Sequence, residues 1–313
     1  MIKEETVLIL GAGASKPFGY PTGFQLLKKI CENLSEDRIR SGKSKEIGEI
    51  LESGYDEEDV LEFSRVLSHS GKTSVDAFLE HRPEFVSIGK YAIAQALIPL
   101  ETNEGLNFLG EENWYRYLFG KLNAPLEDFL NNEISIITFN YDRSLEHYLF
   151  TVLKNSYNLN EEKCAGIVNK IPIVHLYGQL DYLPWQNRGE GRSYSPEYNE
   201  HILADSGSKI KIMTEEIVEE DQNFKDAWER ITKAKWIYFI GFGYNEDNLS
   251  RLKIQKLCNE FKGKAIRGTT CGLGQAEKRN IDRYFKDAQG FSRIFLAPSS
   301  CEVYQFFKDF IDF

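Results

Sequence analysis

The sequence contains few cysteines, and they lie far apart. Five occur in 313 residues, at positions 31, 164, 258, 271 and 301, and none forms a Cys-x-x-Cys pair. Because structural zinc sites usually take closely spaced pairs of thiolates, we expect no zinc or other metal. An odd, dispersed set of cysteines without a signal peptide also predicts a reducing, cytoplasmic location.

Long apolar runs and an excess of basic residues are missing as well. No run reaches the 18 apolar residues typical of a transmembrane helix, so we expect no membrane association. The chain has 38 Lys and Arg against 48 Asp and Glu, a net charge of −10. Binding of nucleic-acid phosphates requires a basic face, so direct nucleic-acid binding is not expected. With 42% hydrophobic residues, the composition predicts a soluble globular protein with a substantial core.

A glycine-rich turn follows the first apolar stretch of the chain. Residues 6–15 have the sequence TVLILGAGAS, which predicts a strand that ends in a tight turn. Gly11 and Gly13 leave no Cβ between the peptide N–H groups and a ligand, and such a turn suits a phosphate. A tight turn without any ligand is the alternative interpretation of this motif.

The residues after this turn predict a helix but not the usual dinucleotide fingerprint. Thr22 and Gln25 have the spacing of a capping box, and apolar residues follow at helical spacing. The fingerprint G-x-G-x-x-G would require glycine at position 16, where the chain has Lys16. We therefore expect a nucleotide-binding strand, turn and helix, but not an ordinary dehydrogenase.

A second strand candidate ends in polar residues. Residues 134–142, ISIITFNYD, are rich in β-branched side chains up to Thr138 and then contain Asn140 and Asp142. Ligands of open α/β sheets bind at the carboxyl ends of the strands, which favours a functional role for Asn140. For Asp142 two interpretations stand, a functional group or a cap for the helix predicted to follow.

A third strand candidate carries the remaining titratable residues of interest. Residues 171–180, IPIVHLYGQL, place His175 and Tyr177 two positions apart, so that both are expected on one face of the strand. Gly178 then allows the backbone to turn. This segment therefore predicts an imidazole and a phenol at the same end of the sheet.

A fourth strand candidate, residues 236–242, also ends in glycines, at Gly241 and Gly243. Four strands that end in turn-forming residues predict an α/β fold, a Rossmann-like parallel sheet flanked by helices. Residues 36–130 have helical periodicity and are predicted to be a mostly helical insertion. The predicted organisation is thus a nucleotide-binding core, 1–35 and 131–313, with a helical insertion at 36–130.

These segments together resemble a known family. GAGAS at 11–15, TFNYD at 138–142, HLYG at 175–178 and GFGYNEDN at 241–248, in this order, are similar to motifs of the sirtuin-like family. The resemblance is to its bacterial branch, in which NAD-consuming domains serve anti-phage defence. It implies a Rossmann-like NAD-binding core.

The resemblance also implies a role for each motif residue. Gly11, Ala12, Gly13 and Ser15 would line the NAD pyrophosphate and ribose, Asn140 and Asp142 would flank the nicotinamide ribose, and Gly241 and Gly243 would approach the adenosine half. Ala14, Thr22, Gly178, Phe242 and Thr269 complete the predicted cofactor-binding set. The predicted catalytic set is Asn140, His175, Asp142 and Tyr177.

One departure from the family pattern concerns the catalytic base. The family's catalytic histidine usually precedes the glycine of an H-G pair, and in this chain Tyr177 holds that place before Gly178. Either His175 serves as the base, or Tyr177 holds the ribose through its hydroxyl and the chemistry is slow or absent. A phenol with a pKa of about 10 is a poor base at neutral pH, whereas imidazole, near 6.5, is well suited, which favours His175.

The reaction implied by this resemblance is cleavage of the nicotinamide–ribose bond of NAD. Nicotinamide leaves as a neutral ring from a cationic precursor, so the protein must mainly position and stabilise an oxocarbenium-like ribose. The paired Cys-x-x-Cys motifs of the family's deacylases are missing, which makes an NAD-dependent protein deacylase the third choice.

Two functions of different classes remain. The first is an NAD glycohydrolase in anti-phage defence whose activity is regulated by a partner protein or by homo-oligomerisation. The second is a regulatory module that binds NAD or ADP-ribose derivatives without catalysis. Tyr177 in the histidine place favours the second, whereas Asn140 and the neighbouring His175 favour the first.

Overall fold

The centre of the protein is a six-stranded sheet. The computed structural model describes residues 1–41, 45–186, 191–213, 215–260 and 264–313. Its strands are β1 (Thr6–Leu10), β2 (Ile134–Thr138), β3 (Ile173–His175), β4 (Trp236–Ile240), β5 (Ala265–Gly268) and β6 (Ile294–Leu296). All neighbours pair in parallel, in the order β3-β2-β1-β4-β5-β6. The predicted Rossmann-like α/β fold is therefore confirmed.

Helices connect and flank the strands. They are α1 (Ala12–Ser15), α2 (Gly23–Asn33), α3 (Glu36–Ser41), α4 (Lys45–Glu52), α5 (Glu57–Ser68), α6 (Val75–Leu79), α7 (Val86–Leu97), α8 (Trp114–Leu122), α9 (Ser144–Ser156), α10 (Glu161–Val168), α11 (Glu200–Ser208), α12 (Glu215–Glu220), α13 (Gln222–Lys233), α14 (Glu246–Arg251), α15 (Ile254–Glu260), α16 (Gln275–Tyr284) and α17 (Val303–Phe310). Short 3-10 turns occupy Lys16–Phe18, Pro83–Phe85, Ile98–Leu100 and Leu126–Asn131. Among the described residues, no helix has both the length and the apolar character needed to cross a membrane.

The sheet is buried because its strands are apolar on both faces. All five residues of β1 are buried, as expected for a central strand of a parallel sheet covered on both sides. The predicted capping box at the start of α2 forms, with the Thr22 N–H donating to Gln25 Oε1 at 2.9 Å. The strand, turn and capped helix predicted at the start of the chain therefore form.

In the described part of the segment between α2 and β2, the regular elements are α-helices and 3-10 turns, joined by turns and irregular stretches such as residues 101–113. Its most buried helix is α7. This helix packs against α2, which precedes the segment in the chain, and against α11, which follows it. One continuous apolar core contains side chains of this segment and of the sheet. The division into a core and an insertion remains a prediction.

Strand β3 is shorter than the pattern predicts. It ends at His175, and Gly178 adopts the left-handed region with a φ of 73°. An antiparallel bridge then joins Gly178 to Ile210. Because β3 ends at His175, Tyr177 lies beyond the strand, and the expectation that both residues belong to one strand is wrong.

Candidate functional site

A cleft lies at the carboxyl ends of the central strands. The chain runs from β1 outward to β2 and β3 and then crosses to β4 on the other side of β1, which makes the gap between β1 and β4 the switch point of the sheet. Open α/β sheets bind ligands at this place. The cleft has a volume of about 890 Å³, and predicted site residues line it: Gly11, Ala12, Gly13, Thr22, Asn140, Tyr177, Gly241, Phe242, Gly243 and Thr269.

The glycines of the first turn lie against the turn after β4. The N–H groups of Gly11 and Gly13 donate to Ile240 O at 3.0 Å and Gly241 O at 2.9 Å. A Cβ on Gly13 would lie 2.8 Å from Gly241 Cα, so only glycine permits this approach. These two N–H groups thus hold the turns together and are not available to a phosphate, whereas the Lys16 side chain lines the cleft and supplies a positive charge.

Asn140 is held so that one of its polar atoms has no protein partner. Its Nδ2 donates to Gly11 O at 3.1 Å and to Ser15 Oγ at 3.0 Å. The Gly11 carbonyl can only accept, which fixes the orientation of the amide. Asn140 is 8% exposed, and its Oδ1 is buried without a hydrogen-bond partner. A buried acceptor without a partner in a cleft is suited to bind a ligand hydroxyl or a water.

Ala14, Ser15 and Asp142 lie beneath the cleft and support it. Ser15 Oγ, which accepts from Asn140, is hydrogen-bonded to the Asp142 carboxylate. Asp142 also accepts from the N–H and hydroxyl of Ser144, the first residue of α9, although the N-cap position of this helix is Arg143 and not Asp142. Burial raises the pKa of Asp142 above its usual value. The Ala14 carbonyl accepts from Trp114 Nε1 at 2.8 Å.

His175 is buried outside the cleft, and both of its ring nitrogens are hydrogen-bonded. Nδ1 lies 2.9 Å from Asn140 O, and Nε2 lies 2.5 Å from Glu146 Oε1. Burial alone would lower the pKa of His175, but the Glu146 carboxylate and the Asn140 carbonyl outweigh it, and the pKa is raised above 6.5. A protonated imidazole donates both bonds. This geometry makes His175 a support for the Asn140 backbone and leaves no ring nitrogen free to act as a base.

The raised pKa of His175 predicts a pH dependence of stability. A group whose pKa is higher in the folded state stabilises the fold fully below its unfolded pKa, and this contribution is lost as the pH rises through the folded pKa. We therefore expect His175→Gln to lower the free energy of unfolding most below about pH 6.5 and progressively less as the pH rises through the raised pKa of His175. Urea unfolding at several pH values measures this difference.

The control for this prediction is His201→Gln, which changes an exposed imidazole. Its profile of unfolding free energy against pH should follow that of the wild type. A constant destabilisation by His175→Gln at every pH would contradict the assignment of a charged His175–Glu146 pair.

Tyr177 faces the cleft and belongs to a fixed polar cluster. Its hydroxyl donates to Asn248 Oδ1 at 2.6 Å and accepts from Arg251 Nη1 at 2.5 Å. Arg251 in turn makes a two-bond ion pair with Glu80, at 2.9 and 3.0 Å. Burial raises the pKa of Tyr177 well above its ordinary value, so the phenol is neutral at physiological pH. It therefore hydrogen-bonds but does not serve as a base.

Two acidic residues of the cleft have no signal in the sequence. Asp76 and Glu80, from α6 and the residue after it, line the cleft together with Arg251 of α14. Asp76 accepts a hydrogen bond from the Tyr141 hydroxyl, and burial raises its pKa to about 6. No local pattern assigns these residues to the site, because α6 shows ordinary helical spacing in a segment far from the strand ends.

Of the other predicted binding residues, Thr269 and Phe242 line the cleft and Gly178 does not. Thr269 Oγ1 accepts from the Gly241 N–H at 2.8 Å and so holds the turn after β4. The Phe242 ring packs edge-on against Phe139, at 5.3 Å between centroids. Gly178 lies outside the cleft, where a Cβ would meet Lys209 O at 2.0 Å. Gly178 therefore makes a close backbone contact with Lys209 and does not line the cleft, where its predicted role in cofactor binding would place it.

The described residues contain no group of three His, Cys, Asp or Glu side chains arranged to hold a metal ion. Comparison of the sequence with protein-family models and with curated proteins finds no match. Conclusions about function therefore depend on the geometry of the cleft.

Proposed function

We propose that the protein is an NAD glycohydrolase that binds NAD in the cleft between β1 and β4. The observation that carries this proposal is Asn140, whose Nδ2 is held by Gly11 O and Ser15 Oγ while its Oδ1 has no partner. Parallel-sheet switch points bind nucleotides, and the cleft volume of about 890 Å³ lies in the usual range for ligand sites. The order of the four motifs supports NAD as the nucleotide.

The proposed reaction breaks the bond between ribose C1′ and the nicotinamide nitrogen. The bonding electrons leave with the ring, which departs neutral because it was cationic when attached. Water adds its oxygen to C1′ and loses a proton, which gives ADP-ribose, nicotinamide and H⁺. Asn140 Oδ1 accepts a hydrogen bond from the attacking water or from a ribose hydroxyl, and so orients it.

The charges of the cleft are compatible with this reaction. Asp76, with a pKa of about 6, is mainly a carboxylate at neutral pH. Negative charge beside the ribose favours the positive charge that develops on it in the transition state. Lys16 is the cleft cation that we assign to the pyrophosphate. Arg251 is already paired with Glu80, so it is not counted as a free positive charge.

The test is release of nicotinamide from NAD by the purified protein. We expect Asn140→Ala to reduce kcat by about 100-fold, because a positioned polar group at the reacting centre is lost. ADP-ribose binding should weaken much less, since most of the cleft is unchanged. A matched control is Asn169→Ala, which removes an exposed amide that binds Trp185 O, and it should leave kcat unchanged.

Two results would contradict this assignment. Full activity of Asn140→Ala would exclude Asn140 from the reaction. Tight binding of NAD by the wild type with no release of nicotinamide would support the second candidate, a non-catalytic NAD or ADP-ribose module. The double hydrogen bonding of His175 and the neutral phenol of Tyr177 favour that second candidate, because neither is available as a base.

We further propose that the activity is regulated and serves anti-phage defence. The ion pair between Glu80, the residue after α6, and Arg251 of α14 lies at the cleft, so a partner protein or a second copy that moves α6 would alter the site. Release of nicotinamide measured against protein concentration tests the contribution of self-association. An activity per chain that rises with concentration is the expected result, and a constant value would contradict it.

A further inference from the structure

A second cavity lies on the helical segment, separate from the cleft. It has a volume of about 530 Å³, and its lining comes from the end of α5, from α6 and from the residues that follow each: Arg65, Val66, His69, Ser70, Lys72, Phe78, His81 and Arg82. None of these residues lines the cleft described above. Neither the NAD-binding motifs nor the proposed reaction accounts for this cavity.

The lining of this cavity is basic, although the chain as a whole is acidic. Arg65, Lys72 and Arg82 are cations, and the lining residues include no Asp or Glu, in a protein with a net charge of −10. Arg82 Nε donates to Glu84 at 2.6 Å, and its Nη groups have no hydrogen-bond partner in the described part of the chain. Among the described residues, Arg65 and Lys72 form no ion pair. The cavity therefore concentrates positive charge that the protein itself only partly neutralises.

The two histidines of the cavity are oriented by backbone carbonyls. His69 Nδ1 lies 2.8 Å from Arg65 O, and His81 Nδ1 lies 3.1 Å from Ala77 O. A carbonyl only accepts, so each Nδ1 carries the proton and Nε2 is the nitrogen left for a ligand. Each Nε2 is therefore the ring nitrogen that can accept a hydrogen bond from a ligand hydroxyl.

The floor of the cavity is apolar. Phe78 is buried, Val66 is half-buried, and the Arg82 guanidinium lies over the Phe78 ring at 5.8 Å and over the Phe85 ring at 4.8 Å. An arginine that stacks on aromatic rings keeps its planar donors in a fixed direction. Cations above an apolar floor match a molecule that combines phosphate groups with a flat ring.

We propose that this cavity binds a phosphorylated nucleotide as a second ligand, distinct from the ligand of the cleft. The phosphates would contact Arg65, Lys72 and Arg82, and the base would lie against Val66 and Phe78. Arginine and lysine side chains bind phosphate oxygens through charge-assisted hydrogen bonds, which are stronger than neutral ones. A volume of about 530 Å³ exceeds the need of an inorganic phosphate and suits a nucleotide.

The segment 73–82 is shared between this cavity and the cleft. Asp76 and Glu80 line the cleft, whereas Phe78, His81 and Arg82 line the basic cavity. A nucleotide bound to Arg82 would therefore contact the chain two residues after Glu80, the ion-pair partner of Arg251. Occupation of one cavity is expected to alter the affinity of the other.

Calorimetric titration of the full chain with ATP tests the proposal, with inorganic triphosphate as a second probe. The double variant Arg65→Gln/Lys72→Gln removes two cations that are not part of the core, and we expect ATP to bind about tenfold more weakly or worse. The control Lys28→Gln/Arg279→Gln removes the same charge at exposed positions outside both cavities and should bind ATP as the wild type does.

Three results would overturn the proposal. Equal ATP affinity of the Arg65→Gln/Lys72→Gln variant and the wild type would place the ligand elsewhere. Equal affinity for triphosphate and ATP would exclude a contribution of the apolar floor and thus a nucleotide. The wild type could also fail to bind ATP while the variant unfolds at a lower midpoint. The two cations would then only stabilise α5, by offsetting the dipole at its C-terminus. None of these results depends on nicotinamide release.

Discussion

Replacing Glu101 by glutamine is expected to lower the free energy of unfolding by about 3–5 kcal/mol, because it leaves buried arginine charges without a counter-ion. Glu101 and Arg143 are both fully buried. Arg143 donates to Glu101 through Nε at 3.0 Å and Nη2 at 2.6 Å, and Arg192 Nη2 donates to the same carboxylate at 2.5 Å. Urea unfolding followed by circular dichroism measures the loss.

The destabilisation should extend beyond the ion pairs themselves. Arg143 also donates to the carbonyls of Tyr182, Arg192 and Ser193, so one side chain connects the helical segment, the start of α9 and the chain after β3. The glutamine amide keeps one acceptor oxygen but supplies no counter-charge to the buried guanidinium of Arg143. We expect the chain around Tyr182 and Ser193 to become more accessible to protease.

A matched control uses the same chemical change at the surface. Glu161→Gln removes a carboxylate that pairs with Lys154 at 2.7 Å on an exposed part of the chain. Exposed pairs contribute little, so its unfolding midpoint should equal that of the wild type. A Glu101→Gln midpoint that also equals the wild type would contradict the importance of this buried cluster.

The second large effect is expected at Gly241. Its φ of 57° lies in the left-handed region, and a Cβ would lie 1.9 Å from Ala14 N and 2.2 Å from Gly13 C. These atoms are backbone atoms of the first turn and cannot give way without separating the turns after β1 and β4. Gly241→Ala should therefore lower the free energy of unfolding by about 3 kcal/mol or more.

The control for Gly241 lies two residues further along the same turn. A Cβ on Gly243 meets no atom within 4 Å, so Gly243→Ala changes the same residue type at the same cleft without a clash. We expect its free energy of unfolding to stay within about 0.5 kcal/mol of the wild type. Equal stability of both variants would contradict the close contact between the two turns.

The sequence predicts those parts of the site that lie at the ends of short apolar strands. The strands that precede Gly11, Asn140 and Gly241 are short apolar runs followed by turn residues, so both the strand and its functional end could be predicted. Parallel strands bring such ends to one edge of a sheet, and the cleft follows from that geometry.

The parts that could not be predicted depend on contacts between distant segments. The alternation of residues 171–180 predicts a strand through Tyr177, but β3 ends at His175. The position of His175 depends on Glu146, which on α9 has the spacing of an ordinary polar helical residue. Asp76 and Glu80 likewise reach the cleft only because α6 packs beside it.

The position of β1 in the sheet has a consequence for how the chain is made. Its neighbours are β2, at residues 134–138, and β4, at residues 236–240, so both pairings join segments far apart in sequence. On the ribosome, β1 therefore emerges long before either neighbour, and its backbone groups stay unpaired until those strands are synthesised. Nearby helices can form at once, because their hydrogen bonds are local. A nascent chain that stops short of β4 leaves one edge of this apolar strand exposed, which is the state most open to aggregation or chaperone binding.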